Sequence, residues 1–197
     1  MTASYPYDHT PGYVQRTPGG GPDAPGKWWA MRASVEGAYM GDRVWRSRVA
    51  GEISLWRMTL RNETGFYLEQ PLKDALYMGS TNLMMSLVMR PHGIWRLGGG
   101  FNYMIDGRTP TAVDPRGGRR EYALGANGTT SLDLFPMKPV VVSVQGDFGT
   151  LYAARTFAVR GTAGIALRRF ELFGGYEYRQ VGKVPFNGPV AGVRLWF

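Results

Sequence analysis

The chain has no cysteine. That excludes a disulfide framework, a thiol nucleophile and a thiolate metal site. Histidine is almost as scarce, with only His9 and His92. Histidine-dependent acid–base or nucleophilic chemistry therefore has little to draw on. No apolar run approaches 18 residues, which excludes a transmembrane helix. The mean hydropathy of −0.24 leaves membrane-crossing strands open, because their alternating faces average out over a window. No signal-peptide pattern is visible, since Met1-Thr2-Ala3-Ser4-Tyr5 leads into prolines instead of an apolar core. Lysine is nearly absent: Lys27, Lys73, Lys138 and Lys183 are the only four among 197 residues.

Glycine (28) and aromatic residues (13%) are abundant, as in chains made of strands and tight turns. Residues 1–27 contain Pro6, Pro11, Pro18, Pro22 and Pro25 around Gly19-Gly20-Gly21. Such a composition buries no core and predicts a flexible leader. From Trp28 onward, apolar and polar residues alternate with period two, the mark of strands with two unlike faces. Trp29, Met31, Ala33, Val35 and Tyr39 oppose Arg32, Ser34 and Glu36. Val49, Ile53 and Leu55 oppose Arg48 and Glu52; Leu60 and Phe66 oppose Arg61 and Glu63. Leu83, Met85, Leu87 and Met89 oppose Asn82, Met84, Ser86 and Arg90. Trp95, Leu97, Gly99, Phe101, Tyr103 and Ile105 oppose Arg96, Gly98, Gly100, Asn102 and Asp106. The same continues to the end, for ten strands in all. Tight turns are expected at Arg57-Met58, Arg90–Gly93, Phe135–Pro139 and Arg168-Arg169. Longer polar loops are expected between them, including 107–120 and a stretch through Lys183 and Pro185.

The last strand runs Pro189-Val190-Ala191-Gly192-Val193-Arg194-Leu195-Trp196-Phe197. Gly192, Leu195 and Phe197 resemble the C-terminal signal of bacterial outer-membrane β-barrel proteins. In that family a glycine, an apolar residue three on and a final phenylalanine close the barrel and are read by the assembly machinery. The resemblance covers about residues 28–197 and extends to no named subfamily. It implies an all-β fold: a closed, antiparallel, up-and-down transmembrane barrel of about ten strands after a disordered leader (1–27). It also implies placement in the bacterial outer membrane, with lipid and the barrel assembly machinery as partners.

A soluble sandwich or lipocalin-like barrel alternates in the same way. Three features separate the two readings. All four lysines fall in the leader, loops or turns, whereas a solvated strand face carries lysine freely. Aromatics on the apolar face sit near strand ends, as in interfacial girdles. A terminal phenylalanine has no role in a soluble sandwich.

The opposite faces carry Arg32, Glu36, Glu52, Arg61, Glu63, Arg96, Asp133, Asp147, Arg160, Glu171, Glu177, Arg179 and Arg194. An unpaired charge in a narrow lumen is costly and a paired one tolerable. The set therefore reads as a structural network filling the barrel, joined by Trp56, Phe173 and Trp196. A selectivity filter or proton path is the alternative. Enzymatic chemistry is not expected, although carboxylate pairs such as Glu69 with Asp106 near the outer rim would suit acid–base chemistry. No metal and no cofactor is expected.

The net charge of +8 would suit nucleic acid or an anionic membrane. Arg116-Gly117-Gly118-Arg119-Arg120 has no interleaved aromatics, so nucleic acid is not expected. With Arg108, and with Arg43, Arg46 and Arg155, the arginines Arg116, Arg119 and Arg120 read as contacts to phosphates of surface glycolipid. Gly98-Gly99-Gly100 reads as relief of curvature, and Gly98→Ser is expected to cost little. The functional reading is a barrel with a structural or surface-interaction role and a plugged lumen. A narrow solute pore is the alternative and an outer-membrane hydrolase the more distant one.

Overall fold

A computed structural model describes residues 29–197 apart from 42–43, 70–73, 91, 110–118, 138 and 168. The expected leader, Arg43, Arg116 and Arg168 thus lie outside the described residues. Ten strands follow one another: β1 (Trp29–Met40), β2 (Val44–Leu55), β3 (Met58–Glu69), β4 (Asp74–Arg90), β5 (Gly93–Thr109), β6 (Arg119–Leu134), β7 (Val140–Leu151), β8 (Ala154–Leu167), β9 (Phe170–Val181) and β10 (Val184–Trp196). Each pairs antiparallel with its sequence neighbours, and β1 pairs with β10, so the sheet closes into a barrel with no free edge strand. The seam runs from Arg32↔Trp196 to Ala38↔Val190. Two backbone bonds extend it, Phe197 N to Met31 O (2.9 Å) and Met31 N to Phe197 O (3.2 Å).

The register sets the strand tilt. From Arg32 the paired neighbours are Glu52, Arg61, Asn82, Gly100, Asn127, Gly149, Thr156, Val181 and finally Val184. Arg32 itself pairs with Trp196 across the seam, twelve residues along the same strand. A stagger of that size over ten strands tilts them by about 40°, given rises near 3.3 Å and strand spacings near 4.8 Å.

One face of every strand points out and is apolar: Val35, Val49, Ile53, Leu60, Leu83, Leu97, Phe101, Val144, Val159, Ile165 and Leu172 are all exposed. Trp29, Trp95 and Phe170 ring the end where β1 starts and β10 stops, here the terminus end. Tyr39, Trp45, Tyr77, Phe157 and Tyr178 ring the far end. Trp29 to Tyr39 spans ten residues, or about 25 Å along the barrel axis at that tilt. Such a belt matches the apolar band of a membrane-crossing barrel, flanked by aromatic rings that favour the headgroup level. Two of the polar side chains on the outer face satisfy each other: Asn62 Nδ2 donates to Thr81 Oγ1 at 2.8 Å.

Close strand approach explains the central glycines. A Cβ on Gly98 would fall 2.2 Å from the carbonyl oxygen of Leu83, and one on Gly100 would fall 1.8 Å from that of Thr81. Only glycine lets β5 bend against β4 there. The expectation that Gly98→Ser is cheap is therefore corrected. The register also shifts between Ser86 and Val88, a bulge that turns β4 about its axis. Met89, expected outside, packs instead against Ile94 in the interior.

Connections differ from the expected asymmetry. At the terminus end, Trp56-Arg57, residues 91–92, 135–139 and 168–169 make the short links. At the far end, β7–β8 turns through Tyr152-Ala153 and β9–β10 through Gly182-Lys183, two residues each. Pro185, expected in a loop, lies in β10 opposite Gln180. The loop expected over 107–120 is shorter, because Arg108 pairs with Arg120 and Thr109 with Arg119 on a continuing β5–β6 ladder. Gly182 (φ 61°), Trp56 (φ 55°) and Tyr152 (φ 53°) take the left-handed conformation that such tight turns demand.

Candidate functional site

The lumen is where the chemistry lies. Inward positions fall on alternate residues, so each strand aims every second side chain into the barrel. Among the described residues, eight arginines (Arg32, Arg46, Arg48, Arg61, Arg96, Arg160, Arg179, Arg194) face seven carboxylates (Glu36, Glu52, Glu63, Asp133, Asp147, Glu171, Glu177) there.

Nearest the terminus end, Arg32 reaches Glu52 (2.5 Å) and Asp133 (3.3 Å). Arg61 joins Glu52 through Nε (2.6 Å) and Arg96 joins Asp133 (2.6 Å). Ser143 donates to the other Asp133 oxygen at 2.7 Å. Arg194 donates to Glu171 (2.7 Å), which also takes the Trp196 indole N–H (2.9 Å). The guanidinium of Arg194 lies over the Phe173 ring at 4.5 Å, and that of Arg32 over Trp196 at 5.0 Å.

Towards the far end Glu36 gathers three cations: Arg46 (2.7 Å), Arg48 (3.3 Å) and Arg160. Glu177 takes Arg46 (2.5 Å), Arg179 (3.2 Å) and Arg48 (3.9 Å). Arg48 and Arg179 also approach Glu63, at 3.4 and 3.9 Å. Gln145 bridges Glu63 (3.4 Å) and Asp147 (2.8 Å). Opposite charges on neighbouring and facing strands thus lock across the barrel, with Arg46 to Glu177 linking β2 to β9.

Apolar clusters flank this charged section towards both ends. At the terminus end Ile94, Phe135, Val141 and Ala166 pack together with Met89. At the far end Tyr67, Met78, Ala123 and Leu151 pack with Val44, Leu76, Met104 and Val181, and Met40, Ala38 and Val190 with Phe186. The space left among Arg32, Arg48, Arg61, Arg160 and Ser131 amounts to about 30 Å³ of positions for a water centre, room for one or two waters. A second space beside Asp147 and Arg179 amounts to about 20 Å³.

All thirteen arginines and acids expected in the lumen lie on inward positions of their strands. Arg46 does not lie where expected: grouped with the rim arginines in the sequence, it is 1% exposed and central to the network. The reason is that β2 starts at Val44, ahead of the alternation read from Arg48, which puts Arg46 in phase with Arg48 and Glu52. Trp56 is likewise corrected. It is 70% exposed in the β2–β3 turn and fills no part of the lumen. Arg108, Arg119 and Arg120 sit on the paired far ends of β5 and β6, and Arg155 is exposed near the start of β8. The side chains of Glu69 and Asp106 lie outside the described residues. Gly192 lies against Glu36 in the seam, where a Cβ would meet Val35 O at 2.4 Å. Leu195 is exposed on the outer face.

The two apolar layers were missed by sequence reasoning. Their signal is an apolar residue at inward parity near a strand end, as at Met40, Val44, Ile94, Val141 and Val181. His92 is exposed in the β4–β5 turn, so among the described residues no histidine faces the lumen. The described residues likewise contain no cluster of three or more metal-ligating side chains.

Comparison with known proteins gives fold likeness only. No family model matches the sequence, and no curated protein matches it. Among solved structures the chain is similar to the NanC porin, at 11% identity and a TM-score of 0.49, over 83% of this chain and 98% of that one. It is also similar to Neisserial surface protein A (NspA), at 12% identity and a TM-score of 0.38, over 85% of this chain and 94% of that one. Likenesses this distant carry no functional argument.

Proposed function

We propose that the chain is an integral barrel of the bacterial outer membrane with a structural or surface-interaction role and a lumen that is plugged instead of conducting. The observation that carries this reading is the layering of the interior. A cross-linked section of arginines and carboxylates is flanked by apolar clusters, and the two spaces described within it each admit one or two waters. A solute path would need a continuous polar column, and apolar clusters interrupt this one towards both ends. The outward belt of Val, Ile and Leu between two rings of aromatics supports the membrane setting.

In this reading the terminus end faces the periplasm, where Gly192, Leu195 and Phe197 would meet the assembly machinery. Arg108, Arg119 and Arg120 then stand at the outer rim, placed for phosphates of surface glycolipid, and nucleic acid is not a partner. Glu36, Glu52, Glu63, Asp133, Glu171 and Glu177 are engaged by guanidinium groups, which leaves them poorly suited to acid–base catalysis.

The test is solute release from liposomes into which the chain has been refolded. Little release of entrapped small sugars or amino acids, from vesicles that hold the heat-modifiable folded barrel, supports the plug. Release that scales with folded protein would favour the narrow pore.

A further inference from the structure

The space in the charged section has a chemistry of its own. Five arginines line it (Arg32, Arg48, Arg61, Arg160, Arg194) against three carboxylates (Glu52, Glu63, Asp133). Those carboxylates already accept ion pairs from arginines: Glu52 from Arg32 and Arg61, Asp133 from Arg32 and Arg96, Glu63 from Arg48 and Arg179. Donors remain without acceptors. Arg61 is 3% exposed, and its Nη1 has no hydrogen-bond partner; the same holds for Arg160 Nε and Ser131 Oγ. Buried polar groups of this kind are costly unless satisfied, and a guanidinium most of all. Around this space five arginines stand against three carboxylates. Water would satisfy the donors and leave that local excess in place. A small anion would do both.

We infer that the lumen holds a buried site for a single monovalent inorganic anion of halide size, between Arg61, Arg160 and Ser131. About 30 Å³ of positions for the centre of a water molecule leaves room for a halide ion. Charge selects an anion, because five arginines line the space and its three carboxylates already hold ion pairs. The apolar layers at either end make the ion a resident of the folded barrel, taken up as the strands close. The inference goes beyond the proposed role and does not depend on what the outer rim contacts.

Refolding the full chain into detergent in sodium bromide, followed by crystallography at the bromine edge, tests it directly. The expected result is one anomalous peak inside the barrel, at hydrogen-bond distance from Arg61 and Ser131. Peaks confined to the outer surface, or none, would overturn the site. A second measurement needs no crystal. Unfolding in urea should be about tenfold slower after refolding in sodium chloride than in sodium gluconate at equal ionic strength, the effect of a ligand near ten times its dissociation constant bound only to the folded state. Ser131→Ala, which keeps every charge, should remove much of that difference. Equal rates of the unaltered chain in the two salts would contradict the inference. If the lumen instead conducts, added chloride will restore slow unfolding after folding in gluconate, and the site stands while the plug fails.

Discussion

Replacing Arg46 by methionine should be among the most damaging single changes in the barrel. The side chain is fully shielded and holds Glu36 at 2.7 Å and Glu177 at 2.5 Å. Removing one partner of a buried pair costs about 3–5 kcal/mol, because the remaining charge is stranded. Here neither acid is abandoned. Glu36 keeps Arg48 and Arg160, and Glu177 keeps Arg179. The expected loss is therefore near the lower bound, about 3 kcal/mol. Methionine retains most of the stem, which holds the packing loss down. Arg46→Lys keeps the charge but cannot span two carboxylates as a planar fork does, and should lose about half as much. Adding Glu177→Gln to Arg46→Met should return about 1–2 kcal/mol, since coupled groups are not additive. Urea titration of protein refolded in detergent, followed by tryptophan fluorescence and by the unboiled gel band, measures each value. Arg155→Met, at an exposed far-end position, is the control and should change stability by less than about 0.5 kcal/mol. An Arg46→Met loss below about 1 kcal/mol would refute the view that the lumen network is cooperative.

Leu97→Arg, on the exposed apolar belt of β5, should cost about 2–4 kcal/mol in lipid, the range for a cation near mid-bilayer. Its neighbour Gly98→Ser should be costly too, because the new Cβ meets the β4 backbone; refolding yields of the two variants check both. Ile94→Ala thins the apolar layer at the terminus end and should cost about 2–4 kcal/mol, read by urea titration. It should produce no conductance by itself, because the ion-paired section above it remains in place.

Much of the fold was legible because a barrel side chain has only two destinations, and the period-two pattern names them. Strand number and the inward set followed from that pattern, from Arg32 on β1 to Arg194 on β10, while closure followed from the resemblance of the last strand to outer-membrane barrels. Where parity breaks, the pattern misleads. The bulge after Ser86 carries Met89 inside, and no local residue announces it. Strand ends were the second weak point. The polar 107–120 stretch reads as a loop, yet the β5–β6 ladder continues to Thr109 and Arg119. The alternation read from Arg48 begins too late, since β2 starts at Val44 and carries Arg46 inward. Trp56 continues the inward series of Glu52 and Ser54 by count alone, but the chain turns there with φ 55°. The partners within the network depend on the stagger of twelve residues, which brings Glu177 of β9 to Arg46 of β2 across the lumen. Period two carries no information about that stagger, so the charges were visible and their pairing was not.

Single-channel recording in planar bilayers tests the sealed lumen most directly. The unaltered chain, inserted as folded barrel, should show no steady conductance at moderate voltage. Arg96→Ala with Arg160→Ala frees Asp133 of one partner and Glu36 of another, and should yield leak currents together with lower stability. Stable, ion-selective openings from the unaltered chain would contradict the plug and put the narrow pore in its place.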